Sequence, residues 1–577
     1  MKKIFSVIMC VMLLCSVLLG VVACDKDNVP VDEIVVYNWA DYIYDYEDDF
    51  KAYYKELTGR NIEVTYVTFD TNETMLTKII QGDAKVDVIC PSEYAIQKLI
   101  ESDQLVDLHY FNEDEYVASG LNKYSGYVHN GENVDKNILD KVSQGFGNIT
   151  VNGESKSMLD YFVPYMYGTL GILYNKYAFI ELDIYDYEVM NKSNWGMLFN
   201  DDGSGNALAE GLDGNILMKD SIRDSYAATI FYLLESGKLD GKTYTDVNSA
   251  YNGTLYTDMP VGELINAVDE YLLEQCQTTL TNQKKQLFGY EVDFGKDDLL
   301  KGNAIVDLAW SGDAMYAVEE SWDDALCSAC SEERRTRVYG EEKRDENNRK
   351  YYVCPYCQEE CGDYELAYYV PHTAGNIWFD GWVIPKTYDT THLDAIKIFI
   401  NFLNSPRVAA ENMMEIGYSA AVSSEAILSD DEAKGVLSAA YAVNSEYWDK
   451  KDKKGNVITE FDYDTWEDFE EYFFYNYDRI DNSNWRYPFM IAEQGDGAYN
   501  RSLDTLGVMR DFGVNNKAVV TMWNAARSTG DNALPLLGWT ALAVALAVGI
   551  AALCEYLKFL RKTRVKVSAP RHDNALA

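Results

Sequence analysis

The apolar positions of the first hundred residues change period several times. Glu33-Ile-Val-Val-Tyr-Asn-Trp-Ala-Asp-Tyr42 is a β-rich run that ends in polar residues. From Asp45 to Thr58, Phe50, Tyr53, Tyr54 and Leu57 recur on one stripe at helical spacing. Asn61 to Val67 reads as a second strand, Asn72 to Gly82 as a second helix, and Val86-Asp-Val-Ile-Cys90 as a short buried strand. This alternation predicts a parallel sheet with crossover helices, in which ligands bind at the carboxyl ends of the strands. Those ends are Trp39 to Tyr42 and Pro91-Ser-Glu-Tyr94.

A later stretch, Asn376-Ile-Trp-Phe-Asp-Gly-Trp-Val-Ile-Pro385, sets one carboxylate among large apolar side chains. In an extended strand Trp378 and Asp380, two residues apart, point to the same face. An indole beside an anion is a good seat for an organic ammonium, because ion pairing holds the charge and the ring attracts the attached methylenes. A buried strand whose Asp caps a turn before Gly381 would give the same pattern.

The two ends carry different signals. Met1-Lys2-Lys3 and the apolar run to Ala23 form a secretory signal, followed by a polar tether over residues 24–32. Ala533 to Cys554 is about 22 residues without a charge, enough for a transmembrane helix, and the basic tail 555–577 would stay cytoplasmic. The body between them is then expected outside the cytoplasm.

Composition narrows the function. With a formal charge of −43 and a pI near 4.4, the surface repels phosphate backbones, which argues against nucleic acid and favours cations. Cys327-Ser-Ala-Cys330 and Cys354-Pro-Tyr-Cys357 are spaced like the two knuckles of a zinc ribbon, so a small structural Zn site is expected over residues 327–361. Export of the chain, and Cys361 nearby, leave disulfides as an alternative. The sequence holds no HExxH, GxSxG, phosphate-binding loop or dinucleotide fingerprint, and its five histidines are scattered. No catalysis and no functional cofactor are expected.

Seven short motifs occur in a fixed order: Tyr37-Asn-Trp-Ala-Asp-Tyr42, Asn72-Glu-Thr-Met75, Asp87-Val-Ile-Cys-Pro-Ser92 with Tyr94, Val163-Pro-Tyr-Met-Tyr-Gly168, Ala309-Trp-Ser-Gly312, Trp378-Phe-Asp380 and Glu415-Ile-Gly-Tyr418. Together they resemble the spermidine/putrescine-binding proteins of bacterial polyamine ABC importers. The Val21-Val22-Ala23-Cys24 junction likewise resembles a lipoprotein signal, with Cys24 as the lipidated residue. The resemblance implies an α/β two-lobed periplasmic-binding-protein fold of type II. Lobe 1 would comprise residues 33–163 and 376–505, with an atypical insertion over about 424–485, and lobe 2 residues 164–375 and 506–527.

By the same resemblance Trp39, Tyr42, Tyr94, Trp310, Trp378 and Tyr418 would form an aromatic box, Asp380 would take an amino group and Ser92 would accept from one. In Asp220-Ser-Ile-Arg-Asp-Ser-Tyr226, Asp224 matches one of the family's two terminal acids, but Ser221 stands where the other belongs. Asp220 could replace it only if the helix start shifts by a residue. The implied partners are a polyamine and a membrane-embedded ABC permease, with the protein anchored at the membrane. Another small cationic solute, or a role as a membrane-anchored surface sensor or adhesion module, stays open at this point.

Overall fold

The computed structural model describes residues 31–108, 130–323, 341–344, 350–353, 366–470 and 505–528, with short interruptions within 176–194, 203–204 and 452–462. Strand β1 (Val31–Asn38) leads into helix α1 (Glu47–Thr58), which ends at Gly59 in the left-handed region, where a residue without Cβ fits most easily. β2 (Asn61–Thr68) follows, then α2 (Asn72–Gln81), whose first turn is capped by the side chain of Thr71 accepting from the Thr74 amide. β3 (Val88–Ile89) and α3 (Glu93–Glu101) complete the first unit. The alternation read from the sequence is present, with boundaries moved by up to four residues, the largest shift being the end of the first strand at Asn38.

The next element makes the molecule bilobal. β4 (Phe162–Asn175) runs for 14 residues and is buried along its whole length. After it come β5 (Ile216–Lys219), α4 (Ile222–Glu235), α5 (Glu270–Gln283), β6 (Leu287–Glu291), β7 (Val306–Trp310) and α6 (Ser311–Asp323). β8 (Gly375–Val383) then returns, followed by α7 (Leu393–Leu403), α8 (Pro406–Ile416) and, near the end, α9 (Asn516–Ser528). The main sheet path is β2-β1-β3-β8-β4-β7-β5-β6. β1, β2 and β3 are mutually parallel, as are β5, β6 and β7. Between these trios, β8 and β4 pair antiparallel to each other and to their outer neighbours. The chain therefore crosses from one parallel lobe to the other along β4 and returns along β8.

Each lobe has an apolar layer. In the first, Phe50, Tyr54, Trp382, Phe399 and Phe402 pack together, Phe399 meeting Phe50 and Trp382 edge to face with ring centroids 5.1 and 5.5 Å away. In the second, Trp195, Tyr226, Phe231, Leu272 and Trp523 form the centre, with α9 laid against α5. A third cluster, including Ile89, Leu99, Phe162, Leu173, Leu217 and Ala309, lines both crossing strands and joins the lobes.

The membrane-spanning helix expected over 533–554 is not found among the described residues. Residues 533–554 lie outside the described ones, and among the described residues no helix is long and apolar enough to cross a membrane. The longest have 14 residues, or about 21 Å at 1.5 Å per residue, against roughly 30 Å of hydrocarbon. The fold class is corrected to the two-lobed α/β fold without that span. Cys24 and the four cysteines of the expected zinc module also lie outside the described residues. Of that module only an antiparallel hairpin, Glu341–Arg344 with Lys350–Val353, is described. From the atypical segment after residue 424, the helices Ser424–Ser429 and Asp431–Ala440 pack on α8.

One close approach sets the geometry of the crossing. A Cβ on Gly168 of β4 would collide with Oγ of Ser311 and the indole of Trp378. Gly168→Ala is therefore expected to cost roughly 1–3 kcal/mol by overpacking, read as a lower urea midpoint at unchanged m-value. An unchanged midpoint would show that the indole does not rest against this backbone.

Candidate ligand-binding site

β3 and β7 flank the crossing strands, β3 beside β8 and β7 beside β4. Directly opposed residues of an antiparallel pair share a face of the sheet. Along β4, Met166 faces Asp380, Gly168 faces Trp378, and Leu170 faces both Asn376 and Trp310. Met166, Gly168 and Leu170 alternate, so Asp380, Trp378 and Trp310 stand in a row on one face. The register shifts between Asp380 and Gly381, where the Gly381 amide donates to the Pro91 carbonyl and Ser92 bridges to Asp380. This irregularity brings the Ser92 hydroxyl to the carboxylate.

Asp380 is buried, and its Oδ1 has no hydrogen-bond partner. Burial pushes its pKa from the ordinary 3.8 up to about 7, opposed by the hydroxyls of Ser92 and Tyr42 and reinforced by the charge of Asp224. Asp224 comes from the other lobe. α4 starts at Ile222, with the Ser221 side chain capping it by accepting from the Asp224 amide, and this puts Asp224 in the first turn. It too is buried, and burial raises its pKa, opposed by the nearby Ser221 hydroxyl and Trp310 indole and by the charges of Lys219 and Arg223. The helix start does not shift, so Asp220 precedes the helix. It pairs with Arg527 of α9 and takes no place beside Asp224.

Aromatic rings close the space around these acids. Tyr42 and Trp378 lie 5.3 and 5.4 Å from Tyr418, centroid to centroid. Tyr418 follows α8 immediately after Gly417 in the left-handed region, and its ring covers Gly312, where a Cβ would strike it. The Tyr42 hydroxyl and Trp378 Nε1 are buried without hydrogen-bond partners, as is Trp39 Nε1, whose ring rests on Phe69 at 4.4 Å. Asn72, at the start of α2, orients the neighbouring hydroxyls. Its Nδ2 donates to Ser92 Oγ and Tyr94 Oη at 3.0 Å each, and its Oδ1 accepts from the Ser92 amide at 3.2 Å.

Three buried charges were not singled out in the sequence. Glu93, 1% exposed, accepts from the Phe379 amide at 3.1 Å through one oxygen while the other has no partner. Burial and Asp380 push its pKa well up. Arg223 lies 3.9 Å over the Phe512 ring and donates to Asn266, with its Nε and Nη1 unpaired. Lys219, at the end of β5, is paired with Glu291 at 2.5 Å. A lone charge inside an apolar run has many solvated explanations, so no local signal distinguished them.

The description "bacterial extracellular solute-binding protein" belongs to a family profile that matches residues 49–442, more than half of the chain. The chain belongs to that family. Its members are solute-binding proteins and not enzymes. Among curated relatives, the putrescine-binding periplasmic protein SpuD of Pseudomonas aeruginosa is 24% identical over 380 residues, 65% of this chain and 74% of that protein. Among solved structures, the spermidine/putrescine ABC transporter substrate-binding protein PotD of Streptococcus pneumoniae is 23% identical, covering 75% of this chain and 94% of its own with a TM-score of 0.41. The Tp0655 lipoprotein of Treponema pallidum is 14% identical, covering 86% and 99% with a TM-score of 0.47.

For this solute-binding protein, the raised pKa of Asp380 has a consequence for stability. Its folded-state value lies above the unfolded one, so its contribution is fully present below about 3.8 and is lost as pH rises through about 7. The ligand-free protein should therefore show a thermal midpoint that falls across that window, and Asp380→Asn should flatten the fall. Parallel midpoint-against-pH curves for the two proteins would contradict the burial of this carboxyl.

Proposed function

We propose that this solute-binding protein captures a polyamine outside the cytoplasm and delivers it to an ABC permease. The observation that carries the reading is the pair Asp380 and Asp224, buried acids from the two lobes that each lack a Lys or Arg partner at ion-pair distance among the described residues. Two ammoniums joined by methylenes would satisfy both at once, with Trp378, Tyr418, Tyr42 and Trp310 along the carbons. Each charged hydrogen bond of this kind contributes roughly 1.5–3 kcal/mol, and a desolvated cation–π contact about 2. Less the cost of ordering the chain, that reaches micromolar affinity or better, on the order of −8 kcal/mol.

Ser92, Tyr94 and Trp39 complete the proposed wall, with Asn72 holding the first two in place. Because the acids sit on different lobes, a bound dication favours the closed arrangement by its differential affinity for it, and the closed form is what the permease would receive. The name of the curated relative, a putrescine-binding protein, supports the same solute class. A lipid on Cys24 is the proposed tether at the outer membrane face.

Isothermal titration of a polyamine panel tests the reading. Asp380→Asn and Trp378→Ala should each weaken binding roughly ten- to hundredfold, the loss of one charged hydrogen bond or one desolvated ring contact. Unchanged affinity in both variants would place the solute elsewhere.

A further inference from the structure

The capture site leaves one buried cation unexplained. Lys219 is 2% exposed, and its Nζ donates to the Val292 carbonyl at 2.9 Å and lies 2.5 Å from Oε1 of Glu291. The other Glu291 oxygen accepts from the Gly295 amide at 2.8 Å. A Cβ on Gly295 would run into the carboxylates of both Glu291 and Asp307, so the absent side chain is what lets the two acids lie together. Asp307 is 1% exposed, on β7 three residues before Trp310. The same ammonium stands 4.2 Å from the centroid of the Trp310 ring.

Two carboxylates, a carbonyl and an indole face make a full seat for an alkylammonium, and here the chain occupies that seat itself. The seat adjoins the capture site through a shared side chain, since Trp310 stands in the row with Trp378 and Asp380 along β4. Burial alone would discharge Lys219, but Glu291, Asp307 and Asp313 outweigh it and hold the charge.

Resting on the polyamine reading above, we infer that Lys219 limits the number of charges on the solute: it holds the ammonium seat beside Asp224, so the site takes a linear diamine and disfavours a triamine. Across the lobes, Asp380 and Asp224 offer two carboxylates for two nitrogens. A third ammonium passing Asp224 along the aromatic wall meets a ring already carrying one cation, among buried side chains where charges are screened weakly. It cannot displace Lys219, whose tether ends in β5, without separating that cation from Glu291 and Asp307.

Isothermal titration of the full-length protein with putrescine and with spermidine tests this. Wild type should bind putrescine at least about tenfold more tightly than spermidine, and Lys219→Met should move that ratio at least about tenfold toward spermidine. Lys219→Arg, which keeps the charge, should leave the preference for the diamine. Because Lys219→Met strands two buried acids, which is destabilising in itself, Lys219→Met with Glu291→Gln is measured alongside it, with the same shift expected. Spermidine binding to wild type as tightly as putrescine, or an unmoved ratio in a folded charge-removing variant, overturns the inference. If wild type binds neither amine, the polyamine reading itself fails, which is a different result.

Discussion

Two carboxylates that face each other away from water are the constraint under which this cleft is built. The charge of Asp224 raises the cost of ionising Asp380, and Arg223 and Lys219 ease Asp224 only through their charges, the bonded nitrogen of Arg223 going to Asn266. Such an arrangement spends folding stability on poise, as binding sites commonly do. Its supports are correspondingly thorough: the Ser221 cap fixes where Asp224 emerges, and the strand irregularity after Asp380 fixes where that carboxylate meets Ser92. A guest bearing positive charge removes the penalty, and the lobes are the parts free to respond.

The aromatic lining and the glycines belong to the same design. Trp378 can lie flat against β4 only because Gly168 has no side chain, and Tyr418 can cover the start of α6 only because Gly312 has none. Rings placed this way have few rotamers available, so little ordering entropy is left for the solute to overcome. The contact between Tyr418 and Gly312 also couples the two lobes, since the tyrosine packs with the first apolar layer and Gly312 begins the helix after β7.

Much of this was legible in the sequence, for physical reasons that differ by residue. The period-two rule alone put Trp378 and Asp380 on one face, and the strand–helix alternation announced the first lobe. Asp224, Trp310 and Tyr418 are far apart along the chain and became visible only through the ordered motifs of a known family. Asp220 was ambiguous because one residue of helix start decides its direction, and a serine cap decided it against the site. Lys219, Glu93 and Arg223 were unreadable. Lys219 meets Glu291 some seventy residues later, and nothing local separates a buried charge from a solvated one. The hydrophobic run at 533–554 showed the opposite limit, where length and apolarity alone suggested a span outside the described fold.

The offset pairing between Asp380 and Gly381 has a bearing on how this lineage can vary. Because side chains alternate strictly along β8, gaining or losing one residue between Asn376 and Asp380 would turn the carboxylate toward the apolar layer and put Phe379 in its place. This strand can exchange one side chain for another across generations, yet its length is effectively frozen.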